Sequence, residues 1–161
     1  MFHTPSKLFT LLLATTSMSS YVSAKDKCYA LAMSGGGAYG SYEAGVLYGM
    51  YHALDDKSLM AYDVITGVSA GSFNTLGTAL FAVGDEGNMV EFLYDLWLHS
   101  STGEVMKNWP FGIIQGAVEE QGLFDDTPLF GYLGGQVEKY GPIKDREVIF
   151  SAADANSGAY V

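Results

Sequence analysis

The sequence is poor in cysteine, histidine, proline and basic charge, and each shortage narrows what the chain can be. A single cysteine, Cys28, among 161 residues excludes a disulfide scaffold and any site built on paired cysteine ligands. Its place at the head of an apolar run predicts a small buried residue at a strand start, with pairing to another chain as the alternative. Eight Lys and Arg stand against eighteen Asp and Glu, a formal net charge of −10. Such a field repels duplex nucleic acid and strongly anionic membrane surfaces, so nucleic acid is not an expected partner. Four prolines, with 48% hydrophobic and 16% charged residues, rule out a disordered or collagen-like chain and supply the apolar side chains for one packed domain. No apolar run reaches the ~20 residues needed to cross a bilayer.

What is present begins with an address. Lys7 supplies a positive charge, residues 8–14 form a short apolar stretch, and Val22 and Ala24 occupy the two positions a signal peptidase inspects. Residues 1–24 therefore read as a signal peptide, with a membrane anchor or an ordinary first helix as the alternative. The expected mature domain, 25–161, enters the secretory pathway and is secreted or luminal.

Along that domain the pattern alternates. An apolar strand over 28–33 stops at Ser34-Gly35-Gly36-Gly37. Spacings of three and four among Tyr42, Val46, Leu47, Met50, Tyr51 and Leu54 predict an amphipathic helix over 40–54. A second strand over 62–66 leads to a second glycine turn, 67–71, and a helix over 72–83 with Phe73, Leu76 and Leu80 on one face. Gly84-Asp85-Glu86-Gly87 reads as a break and 89–99 as a third helix; 100–124, interrupted by Gly103, Pro110, Gly112, Gly116 and Gly122, is ambiguous. A helix over 127–137 with Pro128 in its first turn and a strand over 147–153 complete the chain. Strand, helix, strand, helix implies parallel pairing with a right-handed crossover, and the fold class is α/β.

Both glycine turns carry chemistry. Gly67-Val68-Ser69-Ala70-Gly71 matches the G-x-S-x-G elbow, in which a strand running straight into a helix leaves its corner serine above the sheet. The flanking Gly67 and Gly71 relieve crowding, and the helix amino terminus favours developing negative charge beside Ser69. Consecutive glycines at 35–37 let backbone N–H groups face a reacting oxyanion unobstructed. Parallel strands end together about 4.8 Å apart, so the two turns can converge on one carbonyl. Gly35-x-Gly37-x-x-Gly40 also spells a dinucleotide fingerprint, but that requires an acid closing the second strand, and Asp63 lies near its beginning. Only His99 follows Ser69; His52 precedes it and His3 lies in the leader. Both remaining histidines read as solvated surface residues, which leaves a serine activated by a carboxylate.

The stretch Leu31-Ala32-Met33-Ser34-Gly35-Gly36-Gly37-Ala38-Tyr39-Gly40, then Gly45-Val46-Leu47, then Gly67-Val68-Ser69-Ala70-Gly71, resembles the amino-terminal portion of the patatin-like phospholipase family. The resemblance implies a three-layer α/β sandwich with a mainly parallel sheet and the elbow after its second strand. It further implies lipid acyl-ester hydrolysis, of phospholipase A or acylglycerol lipase type, by a Ser–Asp dyad without cofactor or metal. Ser69 would be the nucleophile, Gly35, Gly36 and Gly37 the oxyanion hole, and Ala70 a further donor. Ala38-Tyr39 stands where the family often has a basic residue, and the family's Asp-Gly turn does not occur in the 161 residues. Asp154, after the third strand, reads first as a turn former, so the catalytic aspartate is expected beyond Val161. The alternative is a catalytically silent lipid-binding or interaction module that keeps the fold without its acid.

Met89, Phe92, Leu93, Leu96 and Trp97, with Trp109-Pro110-Phe111-Gly112-Ile113-Ile114, form the most aromatic region. They read as helix-to-sheet core, with an acyl-chain wall or mobile cover as the lipase-like alternative. The acidic net charge favours neutral or zwitterionic lipid over anionic lipid, with transient contact at a lipid surface. Sequencing the amino terminus of protein collected after secretion should read Lys25-Asp26-Lys27; an intact Met1 on secreted material would contradict the leader.

Overall fold

Four apolar residues ahead of a glycine run form β1, Ala30–Met33, in the computed structural model, which describes residues 27–120 and 122–161. The signal peptide expected over 1–24 lies outside the described residues. The elements that follow are α1 (Gly40–Ala53), β2 (Val64–Val68), α2 (Ala70–Ala79), α3 (Glu86–His99), α4 (Thr102–Val105), α5 (Gly112–Val118), α6 (Thr127–Tyr140) and β3 (Glu147–Ser151). The strands form one parallel sheet in the order β1-β2-β3, with Met33 opposite Gly67 and Gly67 opposite Phe150. All three carboxyl ends therefore share one edge, and both glycine turns leave the sheet there, as the α/β reading requires.

Strand alternation sends Leu31, Met33, Ile65 and Val148 toward the helices, where they join the core around Met60, Met89, Val90 and Leu93. Helix α2 lies across all three strands, and α1 and α3 pack on it and on each other. The described residues supply the sheet and a helical layer on one of its faces. The other face carries Ala30, Ala32 and Ile149, all exposed.

Several expectations shift. In α1 the buried positions are Gly40, Ala44 and Leu47, with Tyr48 and Tyr51 beside them, whereas Tyr42 is 74% exposed and Val46 and Met50 also face out. Leu47, Tyr51 and Leu54 pack on the core as the spacing predicts, and the small Gly40 and Ala44 that complete the stripe are missed by a pattern counted in large side chains. The supposed break at 84–87 is partly helix. Gly87 belongs to α3, where a Cβ would come within 2.7 Å of the Tyr51 hydroxyl, so this glycine serves packing and does not end a helix. Helix α2 begins at Ala70, two residues early, and α6 runs to Tyr140 with Pro128 in its first turn. Cys28 is exposed, not buried. Met89, Leu93 and Leu96 are core as expected, but Phe111 is 81% exposed and Ile113 and Ile114 face out as well. Among the residues of α5 it is Gly116 that turns inward, against Gly122 and the Trp109 ring.

At the amino edge of the sheet a buried ion pair holds the layers together. The Arg146 side chain is fully buried, and its Nη2 lies 3.2 Å from Glu86 Oε1. Its Nε donates to the Phe81 carbonyl, Nη1 to the Tyr62 carbonyl and Nη2 to the Ala82 carbonyl. One guanidinium thus joins the approach to β2, the end of α2, the start of α3 and the approach to β3. Removing one partner of a buried pair strands the other charge, typically at about 3–5 kcal/mol. Glu86→Gln should lower unfolding free energy by an amount of that order in urea titrations. The combined Glu86→Leu/Arg146→Met change should cost less than the single one.

Candidate active site

The corner at Ser69 is one residue long: β2 ends at Val68 and α2 begins at Ala70. Ser69 has φ 55°, and it is the non-glycine residue with positive φ among the described residues. A side chain in that backbone conformation is strained and persists only where its surroundings over-determine it. Here the surroundings are backbone. A Cβ on Gly67 would sit 2.3 Å from the Gly71 carbonyl oxygen and 2.5 Å from Thr75 Oγ1. A Cβ on Gly71 would sit 2.4 Å from the Met33 carbonyl oxygen and 2.7 Å from that of Ser34. The two glycines let the first turn of α2 press onto β2 and onto the end of β1. The turn is tied by the Ser72 N–H donating to the Ser69 carbonyl and the Ser72 hydroxyl donating to the Gly67 carbonyl, each at 2.9 Å.

That pressure brings the other glycine turn to the serine. A Cβ on Gly35 would fall 3.1 Å from Ser69 Cβ and 3.8 Å from Ser69 Oγ. Gly35, Gly36, Gly37 and Ser69 are all exposed, and Ala70 is buried beneath them. Gly37 has φ +58°, a left-handed position, and opens a short 3₁₀ turn, Gly37–Tyr39. Among the described residues no acceptor is bonded to the amides of Gly35, Gly36 or Gly37, nor to that of Ala70 at the head of α2. An alcohol and a set of unpaired N–H groups thus occupy one exposed rim.

The turn is anchored through two side chains that the sequence reading did not single out, Glu43 and Asn74. Glu43 Oε1 accepts from the Ser34 N–H at 2.7 Å and from the Ser34 hydroxyl at 2.9 Å. Glu43 Oε2 accepts from Asn74 Nδ2 at 3.1 Å, and Asn74 Nδ2 also donates to the Gly40 carbonyl at 3.0 Å. Trp97 Nε1 donates to Asn74 Oδ1 at 2.6 Å. The visible signal was a polar Asn74 inside an apolar helix, now seen to be fully buried.

The other candidates lie elsewhere. Asp154 accepts from the Asn156 and Ser157 amides and from the Ser157 hydroxyl. The Ser157 hydroxyl above all, then the Asn156 amide, hold its carboxyl below the usual carboxylate range. His52 pairs with Glu91 at 3.6 Å, and His99 Nδ1 lies 2.9 Å from the Asp95 carbonyl. Among the described residues neither carboxylate nor imidazole hydrogen-bonds to the Ser69 hydroxyl. Asp63, which a dinucleotide site would want at the glycine edge, accepts from the Tyr29 N–H at the opposite one. Gly40 closes against Trp97, whose ring a Cβ would meet at 2.5 Å. No three His, Cys, Asp or Glu side chains converge into a metal site among the described residues.

Gly71→Ala should destabilise the protein by about 1–3 kcal/mol, because backbone and not a flexible side chain must give way. Gly49→Ala in α1, where a Cβ meets nothing within 4 Å, should instead stabilise by up to ~1 kcal/mol. Paired urea titrations check both.

A family model for patatin-like phospholipase matches residues 31–156, well over half of the chain. No curated protein and no solved structure matches significantly. The matched span contains both glycine turns, the sheet and the helices that cover it, and the chain belongs to the patatin-like phospholipase family.

Proposed function

We infer that the protein is a serine acyl hydrolase acting on lipid esters, with Ser69 as nucleophile. The single observation that carries this is the approach of the Gly35 turn to Ser69, which sets unpaired amides beside an exposed hydroxyl on a strained corner. In the proposed reaction a base takes the Ser69 proton as Oγ bonds to the ester carbonyl carbon. The N–H groups of Gly35, Gly36, Gly37 and Ala70 receive the oxyanion of the tetrahedral intermediate. Collapse breaks the ester C–O bond, the leaving alcohol takes the proton, and water then releases the fatty acid from Ser69 by the same steps in turn.

The base in this reading is an aspartate, the partner that a Ser–Asp dyad requires, and among the described residues no carboxylate is bonded to the Ser69 hydroxyl. Asp154 suits the role poorly, since a carboxylate with a depressed pKa is a weaker proton acceptor. Charge bears on the lipid surface alone: with eighteen acids against eight bases, a neutral or zwitterionic surface is favoured over an anionic one, for a substrate of phospholipase A or acylglycerol lipase type. Secretion through the 1–24 leader would deliver the enzyme to lipid outside the cytoplasm.

One observation favours a second reading, a silent lipid-binding module. Among the described residues no side chain is bonded to the Ser69 hydroxyl to activate it. A fluorophosphonate probe separates the two. The hydrolase reading expects covalent labelling of the full chain at Ser69, abolished in Ser69→Ala, whereas a chain that binds lipid vesicles and takes no label is the silent module. Gly36→Pro should reduce ester turnover by ~10²–10³, the usual cost of a lost oxyanion donor. It removes an N–H and forces φ toward about −65° where Gly36 has 167°.

A further inference from the structure

An oxyanion hole made of glycines has no side chains of its own to hold it, so something else must fix its amides. The segment between Ser34 and Gly40 is tied at both ends by one continuous relay. The Trp97 indole donates to Asn74 Oδ1, Asn74 Nδ2 donates to Glu43 Oε2 and to the Gly40 carbonyl, and Glu43 Oε1 takes both donors of Ser34. Every direction is forced. An indole N–H can only donate, which orients the Asn74 amide, and an amide so oriented offers only donors to Glu43. Glu43 is thus an acceptor at both oxygens, and its contact with the Ser34 N–H is a short charge-assisted bond. Gly35, the next residue, is the one where a Cβ would press on Ser69, 3.1 Å from its Cβ.

A carboxylate one residue from an oxyanion hole is electrostatically adverse to the developing negative charge, so its presence calls for a reason beyond charge. An acid in the first turn of α1 also suits the helix dipole, but that alone requires no contact with Ser34 or Asn74. We propose, on the acyl-hydrolase reading above, that Glu43 is a positioning residue: through Ser34 it holds the Gly35–Gly37 amides in register with Ser69, and Asn74 and Trp97 hold Glu43. It touches no reacting atom, and its effect should appear in kcat and not in KM.

The test uses the full chain, a p-nitrophenyl acyl ester in neutral mixed micelles, a fluorophosphonate probe and amide exchange. Glu43→Gln keeps an acceptor for Ser34 but turns an amide donor or a lone contact toward Asn74. It should lower kcat and probe labelling about tenfold, with KM within about twofold. Glu43→Ala should lower kcat by about 10²-fold, comparable to losing a donor. In both, the bonded amides of the turn, those of Ser34 and Tyr39, should exchange faster while those of 31–33 keep wild-type protection, a pattern that a role confined to helix stability would not give. Should Glu43→Ala fail to fold, Glu43→Gln decides alone. Wild-type kcat in Glu43→Gln, or protection lost equally across the sheet, overturns the role of Glu43 and leaves the hydrolase reading standing. A wild-type chain that neither hydrolyses ester nor takes the probe overturns the hydrolase reading, and the catalytic role of Glu43 with it. Exchange at Ser34 and Tyr39 then still reports whether Glu43 fixes the turn.

Discussion

The contact of bare backbone with bare backbone at Gly71 is what the rest of this structure depends on. The Met33 carbonyl oxygen occupies space that any β-carbon there would fill, so α2 is seated directly on the end of β1. From that seating the remaining features follow in order. Gly67 must also lack a side chain, because the Gly71 carbonyl lies over it. Ser69, between them, has no room to relax from its positive φ. The chain leaving β1 at Ser34 then has to turn past Ser69, and Gly35 is the residue that fits there. Side-chain packing makes this arrangement stable, but close approach of main chain to main chain gives it its shape.

The two edges of the sheet divide the work. At the carboxyl edge a strained corner and unpaired amides are tolerated, both unfavourable in isolation and both useful to acyl transfer. At the amino edge Arg146 saturates four groups from segments far apart in the chain, with Glu86 neutralising it. A buried pair of this kind contributes little net stability against an apolar replacement, yet it admits few alternative arrangements of the segments it joins.

What was legible in the sequence was what local rules demand. A strand-to-helix corner requires glycines two residues either side of it, and parallel strands bring their exits together, so the serine, the glycine run and their common edge could be read off directly. The rest depended on distance or on smallness. The inner face of α1 sets Gly40 and Ala44 beside Leu47, and those two small residues carry no periodic hydrophobic signal. Gly87 looks like punctuation until Tyr51 is seen above it. Glu86 and Arg146 are sixty residues apart, and nothing near either marks the other. Phe111, Ile113 and Ile114 suggest a core because of what they are, while their exposure is decided by α5 turning Gly116 inward.

The same reasoning separates the roles of the two carboxylates near the glycine edge. A general base needs a free lone pair facing the serine and a basicity matched to the task. Asp154 has its oxygens turned into its own loop, where the Ser157 hydroxyl and neighbouring amides make it a weaker base. Glu43 lies within one residue of the turn, but three donors from Ser34 and Asn74 already claim its two oxygens. Proton transfer from Ser69 to Glu43 would break the bonds that hold the amides in place at the moment they are needed. A carboxylate so employed is suited to fixing geometry and unsuited to moving protons. In the proposed reading, Ser69 is therefore set by backbone contacts and the glycine turn by Glu43, and neither arrangement depends on the base.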